Sequence, residues 1–182
     1  MSKKTIFLDL DETLISAQSA EKHDFQKEKK KSQFFDYDNM DDYYIIYHRP
    51  KVQEFLDYAF ANFDVAVWTA ASKDYMIFII NRVIHKKPGR KIKYAYWDYH
   101  CDKSSKHKNG TKDLTMLWDF YKCDGLSGSN VKIIDDYNEV KKTNKDMCIS
   151  APPFKYKKEG SEKDNYLMGD LKPKLDKWLK SS

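Results

Sequence analysis

The sequence has no apolar run that approaches the length of a membrane span, and its N-terminus lacks the apolar core of a secretory signal. Cysteine is scarce as well. Cys101, Cys123 and Cys148 are an odd, widely spaced set, which argues against a disulfide framework and for a reducing compartment. These absences lead to the expectation of an intracellular protein, nuclear or cytoplasmic. No Cys-x-x-Cys or His-x-x-x-His spacing joins the cysteines to His85, His100 or His107, so a structural zinc site is not expected. Glycine and proline are few, at six and five, and no linker or internal repeat divides the chain. That scarcity, beside frequent lysine, tyrosine, asparagine and isoleucine, fits an AT-rich coding genome as well as any functional cause.

At 182 residues the chain is long enough for one buried core, and a single domain over 1–182 is expected. Charged residues make up 34% and hydrophobic ones 41%, a polar and soluble balance. The formal charge of +5 is spread along the sequence; it tolerates an anionic substrate without identifying nucleic acid. The lysine runs at 27–31 and 86–91 are read as solvated loops in preference to nuclear-import or RNA-contacting patches. Trp68, Trp97, Trp118 and Trp178 are read as core residues rather than base-stacking platforms.

The most informative segment is Thr5-Ile6-Phe7-Leu8-Asp9-Leu10-Asp11-Glu12-Thr13-Leu14. An apolar strand that ends in two carboxylates belongs at the carboxyl edge of a parallel sheet, where α/β folds carry their chemistry. Asp9 and Asp11 fall on one side of an extended turn, close enough to share a divalent cation through oxygen ligands. The blander reading is that Asp11 caps a helix starting near Glu12 while Asp9 solvates a strand end. The preceding apolar run, Thr13 and three later motifs favour the functional reading.

Strands are expected at 4–9, 63–68, 92–98, 131–135 and 146–150, and helices near 51–61, 73–85, 112–121 and 165–180. This alternation predicts an α/β fold with a parallel sheet flanked by helices. Pro50 suits the first position of a helix, where its missing N–H costs nothing. Segment 20–48 breaks the rhythm. Its Gln26–Lys31 part reads as a solvated loop, and Phe34 to Tyr47 reads as a β-hairpin with 38–42 as a polar turn.

These residues carry a family resemblance. Asp9-Leu10-Asp11-Glu12-Thr13-Leu14 resembles motif I of the haloacid dehalogenase superfamily, in particular the NLI-interacting-factor-like phosphatases that act on the C-terminal domain of RNA polymerase II. His48-Arg49-Pro50-Lys51-Val52-Gln53-Glu54-Phe55-Leu56 resembles the Arg-Pro-x-x-x-x-Phe-Leu helix start of that branch. Val65 to Ser72 resembles its motif II, Lys112-Asp113-Leu114 its motif III, and Val131 to Asn138 its motif IV. The resemblance covers about residues 4–180. It implies a Rossmann-like sheet with a small hairpin insert at about 20–48. The short intervals between motifs leave little chain for a large cap, and an open site suits a phosphate displayed on a macromolecule.

The resemblance also implies a mechanism. Asp9 is the expected nucleophile, giving an aspartyl-phosphate, and Asp11 the acid and base that handles the leaving oxygen and the incoming water. Mg²⁺ is the expected cofactor, held by Asp9, the backbone carbonyl of Asp11 and Asp136. Many relatives have asparagine at the Asp136 position, and aspartate is an acceptable ligand there. Thr69 and Lys112 are the expected phosphate-binding residues. Alone, Thr69 reads equally as a strand-end threonine and Lys112 as one of 33 basic residues; the family match turns both. Thr13 is expected to support the turn after motif I, and Asp135 to orient Lys112 or a metal-bound water.

The implied activity is hydrolysis of phosphoserine or phosphothreonine on a protein, with the polymerase C-terminal domain as candidate substrate. A same-fold phosphatase for nucleic-acid ends or small phosphate esters is one alternative, and a non-catalytic binding module another. The presence of Asp9, Asp11, Lys112 and Asp136 counts against the last. The expected partner is a phosphorylated protein, not nucleic acid or a membrane, and a monomer is favoured. Two departures bear on specificity. Ser19 and Ser72 stand where such phosphatases place an aromatic and a leucine that line a pocket for a substrate proline, whereas Tyr75 matches a family tyrosine. Loss of that apolar lining predicts little preference for Ser-Pro, unless Tyr37 with Tyr43 to Tyr47 supplies a substitute pocket. The family arginine before the motif III lysine has no clean equivalent, with His107 or Lys108 as stand-ins.

Overall fold

Strand β1 (Thr5–Leu8) is buried at every position, as a central strand covered on both faces must be. In the computed structural model, which describes residues 3–41, 43–108 and 110–181, the chain then turns back into β2 (Ile15–Ser19). Helix α1 (Phe25–Ser32) and strands β3 (Tyr37–Met40) and β4 (Tyr44–His48) complete an insert. Next come α2 (Val52–Asn62), β5 (Asp64–Trp68), α3 (Lys73–Ile79) with a wider turn at Ile80–Ile84, and β6 (Ala95–Tyr96). The remainder is α4 (Asp98–Lys108), α5 (Met116–Asp119), β7 (Val131–Asp135), α6 (Asn138–Asn144), β8 (Cys148–Ser150) and α7 (Lys172–Lys180).

The main sheet is parallel, in the order β6-β5-β1-β7-β8. The connection from β1 reaches β5 on one side, while β7 returns to the other, so the strand order reverses at β1. Ligands of open α/β sheets bind at the carboxyl ends beside such a reversal. Alternation along β1 divides the core. Ile6 and Leu8 pack with Val65, Val67 and Ile134 under α2, α3 and α7, and Phe7 packs with Ala66, Trp68 and Ile133 under α5 and α6. Trp68 is fully buried; Trp97, Trp118 and Trp178 are partly buried against these clusters.

Several expectations need correction. The insert is a three-stranded antiparallel sheet, β2-β4-β3, because Ile15–Ser19 pairs with Tyr44–His48 and extends the expected hairpin. Residues 38–40 belong to β3 rather than to the turn, and Asp42 of that turn lies outside the described residues. Gln26–Lys31 is helical, not a loop: Asp24 Oδ1 accepts from the N–H groups of Gln26 and Lys27 at 3.1 Å each and caps α1. Pro50 precedes the helix instead of opening it, since Lys51 adopts a left-handed φ of 64° and α2 starts at Val52. The helix expected at 112–121 shrinks to α5. Lys112 has a left-handed φ of 51°, and Asp113 accepts from Thr115 N–H, so the chain cannot be helical there. Helix α4, which is polar, and helix α6, which is polar and short, lie outside the expected helices.

Candidate active site

Motif I is a tight turn built on one carbonyl. Leu10 O accepts from the N–H groups of Thr13, Leu14 and Ile15, and Glu12 takes a left-handed φ of 58°. No helix starts at Glu12, so Asp11 is not a helix cap. Thr13 is buried, with its carbonyl accepting from Arg49 Nη1 at 3.0 Å. Arg49 ties the turn to the C-terminal segment: Nε and Nη2 reach the two carboxylate oxygens of Asp164 at 2.9 Å each. Its guanidinium also lies over Tyr166, 4.8 Å from the ring centroid. Arg49 is buried and Asp164 partly buried, so removing the arginine leaves the carboxylate uncompensated and also empties the space the side chain fills. We therefore expect Arg49→Ala to lower folding stability by about 3–5 kcal/mol, read from the urea midpoint. A loss under about 1 kcal/mol, the scale of a surface pair, would contradict that anchoring.

Asp9 follows β1 directly, with its N–H on Ile134 O at 3.0 Å, and its carboxylate is buried. Lys112 Nζ donates to Asp9 Oδ1 and to Asp135 Oδ2, at 2.6 Å each. A lysine so placed is held by its loop. Asn144 Nδ2 donates to Lys112 O at 3.0 Å, Asn144 Oδ1 accepts from Leu114 N–H at 2.9 Å, and Ser104 Oγ accepts from Asp113 N–H at 2.7 Å. Asn144 and Ser104 were not foreseen; no short motif marks them, since both lie on the unanticipated helices. Thr69 sits one residue past β5, at the same sheet edge, and its Oγ1 accepts from Ala71 N–H at 3.1 Å.

Ligand atoms of Asp9, Asp135 and Asp136 all lie within 4.8 Å of one another. The Asp11 side chain stands outside this group, its Oδ1 accepting from Tyr75 Oη at 2.6 Å. The structure thus brings together Asp9, Asp135, Asp136 and Lys112, and pairs Asp11 with Tyr75. The side chains of His107 and Lys108 lie outside the described residues.

The electrostatics follow from burial. Desolvation, then the charge of Asp9, pushes Asp136 up to about 6 and raises Asp135. Burial also raises Asp11 to about 6, against the Tyr75 hydrogen bond that favours its ionised form. Lys112 moves upward because the two carboxylates outweigh its own burial cost. One cation thus faces several carboxylates, and hard oxygen donors with surplus negative charge suit a small divalent ion. Folded-state values near 6 for Asp11 and Asp136, against 3.8 ordinarily, mean that the folded protein binds these protons more tightly. That contribution to stability is fully present below pH 3.8 and is lost as pH rises through about 6. In chelator at about pH 7.5, Asp136→Asn should therefore melt higher than the wild type by roughly 2–4 °C. The gap should close near pH 4, and Mg²⁺ should raise the wild-type Tm at the higher pH. Equal melting of both proteins at both pH values would contradict this.

A parallel sheet that gathers these carboxylates and one buried lysine at its carboxyl edge has the haloacid dehalogenase fold. The chain belongs to the NLI interacting factor-like phosphatase family, whose model matches residues 4–182. The CTD phosphatase-like protein 355R of Invertebrate iridescent virus 6 is 45% identical over 181 residues, covering 97% of this chain and 99% of that relative. Its namesake in Invertebrate iridescent virus 3 is 42% identical over 176 residues, covering 91% and 92%. Among solved structures, the fission yeast RNA polymerase II CTD phosphatase Fcp1 bound to beryllium fluoride matches with a TM-score of 0.59 at 17% identity. The match covers 83% of this chain and 42% of Fcp1, a likeness of fold. No helix among the described residues is long and apolar enough to cross a membrane.

Proposed function

We propose that the protein is a Mg²⁺-dependent phosphatase that hydrolyses phosphoserine or phosphothreonine on a protein, acting as one domain over 1–182. The bridge from Lys112 to Asp9 and Asp135 carries this reading: it sets a fixed positive charge beside the carboxylate that would attack phosphorus. An Asp9 oxygen forms the bond to phosphorus as the seryl oxygen leaves, taking a proton from Asp11. Asp11 then accepts a proton from water, which attacks the aspartyl-phosphate and releases inorganic phosphate. Lys112 and Thr69 orient the phosphate oxygens in line with Asp9. Asp9, Asp136 and the Asp11 carbonyl would hold Mg²⁺, with Asp135 alongside. Neutralisation of the phosphate oxygens is the chemistry that a bound Mg²⁺ adds. Turnover of a phosphoserine peptide with Mg²⁺, abolished by EDTA and restored by added Mg²⁺, tests the proposal. Turnover confined to small phosphate esters would favour the small-ester alternative, and none at all a binding module.

The RNA polymerase II C-terminal domain is the candidate substrate, on the names of the viral relatives. Beside Asp11 lies an open cavity of about 360 Å³, lined by Ala17, Tyr44, Ala71, Ser72 and Tyr75. Ser72 presents far less apolar surface than leucine, and its Oγ accepts from Tyr75 N–H to cap α3. Tyr44, opposite Ser19 in the β2–β4 register, stands edge-on to Tyr75 at 5.5 Å. This placement favours the substitute pocket over the loss of proline recognition: Tyr44 offers a wall that the two serines do not. Burying a proline ring there is worth roughly one to two kcal/mol. Tyr44→Ala should thus lower kcat/KM for a Ser-Pro heptad phosphopeptide about tenfold, and much less for a proline-free phosphoserine peptide of equal charge. Equal losses on the two peptides would remove Tyr44 from substrate selection.

A further inference from the structure

Helix α1 does not stand free of the fold. Lys31 Nζ donates to Lys158 O at 2.6 Å, and Lys157 pairs with Glu28 at 3.2 Å, so α1 lies against residues 155–163. Tyr156 fixes that segment from beneath. Its buried ring stacks on Tyr47 at 3.6 Å, its N–H donates to Ser16 Oγ, and Ser161 Oγ donates to its carbonyl. The two segments bring eight lysines together with three glutamates, a net +5 that equals the formal charge of the whole chain. Asp24, which caps α1, pairs with Lys27 at 3.2 Å, so the surplus positive charge of the ridge rests on its other lysines. Lys29, Lys30, Lys31, Lys158 and Lys163 have no carboxylate partner among the described residues.

This ridge runs to the active site. Phe154 N–H donates to Glu12 O at 2.7 Å, and Lys155 Nζ lies 3.6 Å from Glu12 Oε1, one residue beyond Asp11. A polypeptide whose phosphoserine reaches Asp9 therefore has an adjacent lysine surface for its flanking residues. Lysine ammonium groups are point charges without the bidentate geometry of arginine, and they suit a run of carboxylates or phosphates of varied spacing. Among the described residues, the aromatic ring these lysines sit over, Tyr156, is buried and presents no open face on which a base of single-stranded nucleic acid could stack.

We propose that the ridge formed by α1 and residues 155–163 binds an acidic or multiply phosphorylated stretch flanking the target phosphoserine, and so selects substrates by the charge of their flank. This rests on the protein-phosphatase reading above and adds the substrate class to it. The test uses the full chain and the variant Lys29→Glu/Lys30→Glu/Lys158→Glu. Substrates are phosphoserine peptides with a neutral flank or with an acidic block on either side, and an aryl phosphate too small to reach the ridge. We expect kcat/KM for one acidic-flanked peptide to exceed that for the neutral one by about tenfold or more at low salt. The advantage should vanish in the triple variant and in high salt, while aryl phosphate hydrolysis continues. Equal kcat/KM for all three peptides, or an advantage that survives in the variant, would overturn the proposal. So would an oligonucleotide of equal charge that competes as well as the acidic peptide, which would assign the ridge to nucleic acid. Should no peptide turn over, the phosphatase reading fails, and fluorescence anisotropy still decides the ridge. Tighter binding of an acidic-flanked peptide by the wild type than by the variant supports it, and equal binding overturns it.

Discussion

Asp9→Asn should reduce kcat on any phosphate ester by a factor on the order of 10⁵ to 10⁶, the scale on which a serine protease loses kcat when its nucleophile is removed. The amide keeps the shape of the side chain but cannot form the bond to phosphorus. Its fold should survive, because the residues that position Asp9 lie in the backbone of β1 and β7 and do not depend on its charge. The bridge at Lys112 would weaken on the Asp9 side while the Asp135 side remains. Stopped assays with a sensitive aryl phosphate, alongside circular dichroism, read both outcomes. Activity within about tenfold of the wild type would end the nucleophile assignment.

Asp11→Asn should separate substrates by their leaving group. An alkyl oxygen, as in phosphoserine, needs a proton as it departs, and general acid catalysis contributes on the order of 10²–10⁴. Phosphorylation of Asp9 should therefore slow by that factor with a phosphoserine peptide and far less with an aryl phosphate. The tyrosine contact supports this division of labour. Tyr75 Oη fixes one oxygen of Asp11, and burial brings the carboxyl to about 6, near the pH at which it must give and take a proton. Single-turnover rates on the two substrates measure the difference. Equal slowing on both would contradict a proton-transfer role for Asp11.

Much of this arrangement was legible in the sequence where local rules act alone. A continuous apolar run ending in Asp-x-Asp marks a buried central strand and its carboxyl edge, and β1 with Asp9 follows. Val131 to Ile134, broken only by Lys132, leads into Asp135 and Asp136 in a similar way, and these two carboxylates arrive at the same edge. What was not legible depends on partners distant in the chain. Lys112 is set apart from 32 other basic residues by Asn144 and Ser104, which lie 32 and eight positions away in polar helices with weak apolar patterning. The pairing of Asp11 with Tyr75 needs the turn after β1 and helix α3 to meet at one cavity. Helix α1 was misread because six consecutive polar residues look like a solvated loop; the Asp24 cap was the available signal. Tertiary context also moved the start of α2, where the left-handed Lys51 follows Pro50.

The central claim is a phosphoryl group carried on Asp9. In Asp11→Asn the intermediate should form from an aryl phosphate and then persist, because the base that activates water is missing. Rapid acid quenching followed by peptide mass mapping should find one phosphoryl mass on the peptide that contains Asp9, removable by hydroxylamine. Turnover of the aryl phosphate with no phosphoryl mass on that peptide, or with the label on another residue, would contradict the mechanism.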